Sequence, residues 1–258
     1  CRLTLYAVLA PTDEGYMAIW HHGISGGDEI PNVWSRRLGP DLVPLTEPEP
    51  IFPGVVLLGV EAIPHATYRG ETLIRAVERS GGRDLRRFLR VDAGGTLTLE
   101  DDWLDTGREA RNAPPHELFN GERMIGVGWA ESDFDTMEEN RLRITSANFD
   151  GSDLREFEVA APYSRGGNIS SYGGRVAVHS FVVNADVMPI ERWTELLVID
   201  ASGEPEGEPR GLDVNYANWA RWITRRDTIH FWDTTASAAT ERFIVDWSGN
   251  TLSGPTLF

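Results

Sequence analysis

Five times along the chain, an apolar run is followed by an alternating run, a glycine-containing turn and a short closing segment. This recurrence constrains the fold strongly, because a unit that cannot bury its apolar side chains alone must stack against similar units. The apolar runs are strand-sized and almost continuous: Tyr16–Trp20, Val55–Val60, Met124–Trp129, Val176–Val183 and Thr228–Trp232. Such runs are typical of strands that are buried on both faces.

The segments around each apolar run complete a unit of four strands. The following runs alternate between apolar and polar residues, as half-buried strands do: Asn32–Leu38, Glu71–Val77, Asn140–Thr145, Thr194–Ile199 and Glu241–Val245. A short segment before each apolar run predicts an inner strand: Leu3–Leu9, Glu49–Phe52, His116–Phe119, Asn168–Tyr172 and Asn218–Ile223. Four-stranded units repeated at roughly 40 to 50 residues are typical of a β-propeller.

We therefore predict an all-β chain that folds as a single propeller domain of about five four-stranded blades. The predicted blades are residues 2–46, 47–92, 114–160, 167–214 and 215–258. Residues 93–113 are too long for an ordinary connection between blades, so they are predicted to be an insertion. Two alternatives stay open: six blades with one incomplete, or a β-sandwich, which also has short strands and regular turns.

The end of the third unit, Asn148–Arg155, reads Asn-Phe-Asp-Gly-Ser-Asp-Leu-Arg. This segment resembles the repeat of TolB-like periplasmic β-propellers. The resemblance implies a propeller fold and a periplasmic location, and it carries over no functional residue.

The chain has one cysteine, Cys1, so an intramolecular disulfide is excluded. A cysteine at this position resembles the mature N-terminus of a bacterial lipoprotein. The resemblance implies lipid attachment at Cys1 and anchoring in the bacterial periplasm or on the outer surface. No apolar run is long enough to predict a transmembrane helix.

The net charge of −16 argues against a nucleic-acid partner, because phosphate binding needs clustered cations. The negative charge is concentrated in the predicted loops between the second and third strands, which share one face with the connections between blades. These long loops are His21–Pro31, Glu61–Gly70, Glu131–Glu139, Asn184–Trp193 and Asp233–Thr240. The predicted binding residues on this acidic face are Glu100, Asp101, Asp102, Asp105, Glu131, Asp133, Asp135, Glu138 and Glu139. The predicted aromatic anchors are Tyr68, Trp103, Phe134 and Trp193. The acidic loops suit a cationic partner, with Ca²⁺ held by carboxylate oxygens as an alternative.

No catalytic constellation or metal-ligand spacing is present in the sequence. We therefore expect a non-catalytic, lipid-anchored envelope protein that binds another protein, as an accessory or stabilising subunit of a larger membrane complex. The alternative is a propeller that binds or hydrolyses carbohydrate, with aromatic platforms and acids on the same face.

Overall fold

The computed structural model describes residues 4–22, 33–52, 55–81, 83–101, 116–131, 140–184, 186–212, 221–234 and 240–257. These residues form twenty β-strands and no helix. The strands make five antiparallel sheets of four strands each. The chain divides into two compact units, Cys1–Pro114 and Pro115–Phe258.

The first unit contains two sheets. The strands of the first sheet are β1 (Thr4–Thr12), β2 (Gly15–His22), β3 (Val33–Leu38) and β4 (Glu49–Pro50). Those of the second sheet are β5 (Val56–Tyr68), β6 (Glu71–Ser80), β7 (Arg83–Val91) and β8 (Leu97–Asp101).

The second unit contains three sheets. The strands of the third sheet are β9 (His116–Phe119), β10 (Met124–Glu131), β11 (Arg141–Ala147) and β12 (Arg155–Ala160). Those of the fourth sheet are β13 (Ser164–Tyr172), β14 (Arg175–Asn184), β15 (Glu191–Ile199) and β16 (Arg210–Leu212). Those of the fifth sheet are β17 (Arg221–Thr224), β18 (Thr228–Thr234), β19 (Thr240–Asp246) and β20 (Thr251–Leu257).

In every sheet the strands lie side by side in the order in which the chain makes them. The first strands of successive sheets also contact each other: β1 contacts β5, and β13 contacts both β9 and β17. Each sheet therefore has an inner first strand and an outer fourth strand, which is the arrangement of a propeller blade.

The hydrophobic cores lie between successive sheets within each unit. In the first unit, Ile19 of the first sheet and Leu89 of the second are fully buried in one cluster. In the second unit, one core lies between the third and fourth sheets and another between the fourth and fifth. The fourth sheet is covered on both faces, so most side chains of β14 are buried. This explains the continuous apolar sequence of that strand.

One five-residue turn follows the third strand of every sheet. The five copies are Gly39–Val43, Asp92–Thr96, Asn148–Ser152, Asp200–Glu204 and Asp246–Asn250. In each copy the first residue donates its N–H to the carbonyl of the fifth at 2.8–3.1 Å, and the fourth donates to the carbonyl of the first at 2.9–3.0 Å. The fourth residue has positive φ throughout, and it is glycine in all copies except the first, where it is Leu42. The turn confirms that the chain is built from a repeated unit.

The second sheet differs from the sequence prediction by one strand. Glu49–Pro50 pairs with β3 and closes the first sheet, although it was predicted to be the inner strand of the second blade. The apolar run that follows begins the second sheet as β5, the inner strand. Leu97–Asp101 closes this sheet as β8, so part of the predicted insertion 93–113 is a blade strand. The number of blades in the complete propeller stays a prediction.

Candidate functional site

Most of the predicted binding residues lie outside the described part of the chain. These are Cys1, Asp102, Trp103, Asp105, Asp133, Phe134, Asp135, Glu138 and Glu139. Glu131 is the last residue of β10, and only its backbone is described. Four predicted residues can be placed in full: Glu100, Asp101, Tyr68 and Trp193.

Glu100 and Asp101 were predicted to lie in a loop, but both lie in strand β8. The Glu100 carboxylate is 3.0 Å from Nε of Arg90, and Asp101 forms an ion pair with Arg87. Both arginines are on β7, the neighbouring strand, and they also pair with acids of β6: Arg87 with Glu78 and Arg90 with Glu71. Glu100 and Asp101 therefore take part in ion pairs within the second sheet, and calcium binding at the other acidic residues stays a prediction.

Tyr68 lies at the tip of the hairpin between β5 and β6, where Arg69 and Gly70 both have positive φ. The guanidinium carbon of Arg69 is 5.0 Å from the centre of the Tyr68 ring. Because this hairpin joins the first and second strands of its sheet, Tyr68 lies at the opposite end of the sheet from the predicted binding loops. The placement of Tyr68 on the acidic face was wrong, since the second sheet is shifted by one strand.

Trp193 is on β15 and is partly buried. Its indole Nε1–H donates a hydrogen bond of 2.9 Å to the Glu195 carboxylate, two residues further along the same face. The other Glu195 oxygen is buried without a hydrogen-bond partner. Burial raises the pKa of Glu195, and the hydrogen bond from Trp193 only partly offsets this effect. The pair therefore combines an aromatic ring with a carboxyl group that holds its proton more tightly than usual.

The neighbouring strands bring small residues beside this pair. Ser180 of β14 is directly opposite Glu195 and is buried. Gly211 of β16 is opposite Glu195 on the other side, and a Cβ added there would lie 3.8 Å from Cδ1 of Trp193. The indole of Trp193 therefore lies beside Gly211 of the outer strand of the fourth sheet.

The loop between β14 and β15, which precedes this pair in the chain, carries three exposed apolar side chains. Val187 is 38% exposed, Met188 is 87% exposed and Ile190 is 45% exposed. We name these three residues the apolar tip. The loop is anchored at its base, because the backbone N–H of Asp186 donates to Oδ1 of Asn184 at 3.0 Å. Among the described residues, Met188 is the most exposed large apolar side chain.

The sequence predicted a long loop at Asn184–Trp193 but did not single out the apolar tip or Glu195. The loop sequence does contain a sign of the apolar tip, because Val187, Met188 and Ile190 follow one another with only Pro189 between them. Apolar side chains in a connecting segment are either buried under the loop or exposed for binding, and only the fold separates these cases.

Arg123 is a buried charged residue that the sequence analysis also missed. Its guanidinium donates to Oγ and the carbonyl of Ser146 at 2.6 and 3.1 Å, and to the carbonyl of Asp153 at 2.6 Å. It also lies 2.9 Å from the Asp153 carboxylate, and hydrogen bonds from Arg155 and Arg123 lower the pKa of that carboxyl. These contacts hold the repeated turn of the third sheet, so Arg123 has a structural role.

His179 of β14 lies in an apolar run, and the structure buries it among core residues. Burial, with a smaller contribution from the nearby charge of His116, lowers the pKa of His179 to about 3. The ring is therefore neutral at physiological pH, as expected for a histidine of the core.

A small pocket of about 50 Å³ lies between the fourth and fifth sheets, and Glu206 and Trp247 are among its lining residues. Arg175 holds the Glu206 carboxylate at 2.7 Å and lies 4.8 Å above the Trp247 ring. The pocket is far smaller than a usual substrate site. It is therefore part of the packing between two sheets.

In the described part of the chain, no group of three or more His, Cys, Asp or Glu side chains is arranged to hold a metal ion. The same residues include no helix that is long and apolar enough to cross a membrane.

Comparison with known proteins gives a fold and no family. No protein-family model matches the chain, and no curated protein matches it. The β-propeller domain of the trilobed protease from Pyrococcus furiosus is similar at 10% identity, with a TM-score of 0.53 over 99% of this chain and 72% of that one. Prolyl oligopeptidase B from Galerina marginata is similar at 6% identity, with a TM-score of 0.51 over 98% of this chain and 35% of that one.

A family 117 glycoside hydrolase from the marine bacterium Zobellia galactanivorans matches at 8% identity, with a TM-score of 0.48 over 76% of this chain and 68% of that one. At such low identities these likenesses concern the fold alone. Together with the blade-like sheets, the first two likenesses show that this chain has a β-propeller fold.

Proposed function

We propose that this chain is a non-catalytic protein-binding propeller that contacts its partner through the apolar tip. The observation that carries this proposal is the 87% exposure of Met188, with Val187 and Ile190 exposed on either side. Exposed apolar side chains that lie together on an ordered loop are typical of interaction sites. Burying one such side chain completely contributes about 1.5–3 kcal/mol, so the apolar tip could supply several kcal/mol of binding free energy.

The fourth sheet supports the loop rigidly. Its strands β14 and β15 pair over their whole length, from Val176 with Ile199 to Asn184 with Glu191. Binding residues are often found on loops that a rigid sheet positions in this way. The unbranched thioether side chain of methionine adapts to an apolar pocket of irregular shape.

Charge favours a partner with a cationic surface around its apolar pocket. The chain has a net charge of −16, and the exposed acids Asp186 and Glu191 flank the apolar tip. Complementary charge around an apolar contact accelerates association and selects the partner. We therefore propose a partner that presents an apolar pocket with a basic rim.

We further propose that this partner is a larger membrane complex of the bacterial envelope and that the chain is an accessory subunit related to TolB-like propellers. The Asn148–Arg155 segment supports the relationship, because it contains the repeated turn after the third strand of its sheet. Lipid attachment at Cys1 also stays a proposal. The intact mass of the protein purified from native membranes tests it, since acyl chains add to the mass of the polypeptide.

Quantitative mass spectrometry of natively purified protein tests the main proposal. Wild-type protein is expected to recover a stoichiometric protein partner, and Met188→Ser is expected to lose it, because a polar side chain replaces the most exposed part of the apolar tip. Leu252→Ser is the matched control, since Leu252 is 58% exposed on β20, outside the apolar tip. Equal recovery by wild type and Met188→Ser would contradict the proposal.

The Trp193–Glu195 pair supports carbohydrate binding as a second candidate function. An indole ring beside a carboxyl group offers a stacking surface and a hydrogen-bonding group for a sugar. NMR of the Trp193 indole N–H tests this candidate with a panel of neutral and acidic oligosaccharides. A shift that saturates in wild type and disappears in Glu195→Gln would support it, whereas no shift with any oligosaccharide would exclude it for that panel.

A further inference from the structure

The chain has four methionines, and the three that lie among the described residues differ widely in exposure. Met17 is 4% exposed and Met124 is fully buried, whereas Met188 is 87% exposed at the apolar tip. Reaction of a thioether with a dissolved oxidant requires the sulfur to be accessible. Met17 and Met124 therefore provide internal controls within the same molecule.

We infer that Met188 is an oxidation site at which peroxide converts the apolar tip into a polar one. The Met188 sulfur attacks one oxygen of hydrogen peroxide, the O–O bond breaks, and a sulfur–oxygen bond forms. The products are methionine sulfoxide and one molecule of water. Sulfur is oxidised by two electrons and the peroxide is reduced by two.

Formation of the sulfoxide changes the polarity of this surface and leaves the backbone unchanged. A flexible apolar side chain becomes a polar one with a strong hydrogen-bond acceptor, which an apolar pocket does not accommodate. Val187 and Ile190 have no group that peroxide oxidises in this way, so Met188 alone controls the polarity of the apolar tip. This consequence for docking rests on the proposed function, while the oxidation itself does not.

Peptide mass spectrometry after graded treatment of the intact protein with hydrogen peroxide tests the oxidation step. Met188 is expected to gain one oxygen at least about tenfold faster than Met17 and Met124, because accessibility controls the reaction. Unfolding the protein in urea should remove this difference. Oxidation of Met17, Met124 and Met188 at equal rates in the folded protein would overturn the inference.

Recovery of the native partner before and after peroxide treatment tests the consequence for docking. Oxidation is expected to reduce recovery by about tenfold or more in wild type, and Met188→Leu is expected to retain it, since leucine keeps the apolar surface. Oxidation of Met188 with unchanged recovery would overturn the regulatory step. If untreated wild type recovers no partner, the proposed function fails, while the peptide measurement still decides whether Met188 is an oxidation site.

Discussion

Replacing Arg123 with methionine should destabilise the second unit strongly, because a buried hydrogen-bond network is lost while the side chain stays long and unbranched. Three of the bonds end on buried or backbone oxygens: Oγ of Ser146, the carbonyl of Ser146 and the carbonyl of Asp153. Each bond of this kind contributes about 1 kcal/mol, and its loss leaves an acceptor without its donor. We therefore expect the free energy of unfolding to fall by about 3 kcal/mol.

Thermal unfolding followed by circular dichroism measures the effect. A loss of this size should lower the melting temperature by about 6–12 °C for a unit of this length. Arg155→Met is the matched control, since Arg155 contacts the same Asp153 carboxylate at 3.0 Å from an exposed position. An exposed ion pair contributes under about 1 kcal/mol. Equal shifts for the two variants would refute the argument that burial makes Arg123 important.

Three further predictions concern packing and pH. Gly203→Ala should destabilise the protein by about 1–3 kcal/mol more than Gly207→Ala, measured by urea unfolding. Both glycines have positive φ, but an added Cβ would collide with the Ser146 side chain at Gly203, whereas at Gly207 it would meet open space. His179→Gln should lose less stability than wild type on acidification between pH 6.5 and about 3, measured as melting temperature against pH. In this range the unfolded wild-type chain binds a proton at His179 that the folded chain excludes. Glu195→Gln should stabilise the protein more at pH 7 than at pH 4 in the same assay. The pKa of Glu195 is raised in the folded protein, so wild type loses stability as the pH rises above the ordinary pKa of a glutamate, and glutamine does not ionise.

The outcomes that would contradict these predictions are specific. Equal urea midpoints for the two glycine variants would show that a Cβ at position 203 does not destabilise the packing against Ser146 of the third sheet. If the melting temperature of His179→Gln falls below pH 6.5 as steeply as that of wild type, the His179 ring is not the group responsible for the loss of stability. Stabilisation by Glu195→Gln that is equal at both pH values would show that packing, and not ionisation, explains the effect.

The sequence predicted the strands of the second unit well because turn chemistry marks their ends. Asn148–Ser152, Asp200–Glu204 and Asp246–Asn250 each begin with Asn or Asp and have glycine at the fourth position. Asp200 and Asp246 accept backbone hydrogen bonds within their own turns, and Asp150 does so in the turn of the third sheet. Glycine takes the positive φ that the turn requires. This signal is local, so it can be read from the chain without knowing the fold.

The second sheet was misplaced because its inner strand lacks such a signal. Residues 61–70 include Pro64, which suggests a loop, yet β5 continues to Tyr68. Among the strands that the structure describes, β5 pairs with β6 alone, and the register shifts between Ala62 and Thr67. An edge strand with an irregularity accommodates proline, because no neighbour needs its missing N–H.

The candidate site was predicted only in part, because burial and exposure depend on contacts distant in sequence. Trp193 was identified from its position in a long loop, but its bond to Glu195 depends on both side chains sharing one face of β15. The exposure of Met188 depends on which distant segments cover its loop, and the sequence of the loop does not specify them. No local pattern distinguishes it from a methionine of the core such as Met124.

Photo-crosslinking in living cells tests the central claim most directly. A photoreactive amino acid placed at position 188 is expected to give one discrete protein adduct, because this position lies at the centre of the proposed contact. The same amino acid at position 252, which is also exposed, is expected to give none. An adduct at position 252 alone, or the absence of an adduct at position 188, would contradict the claim that the apolar tip binds a protein partner.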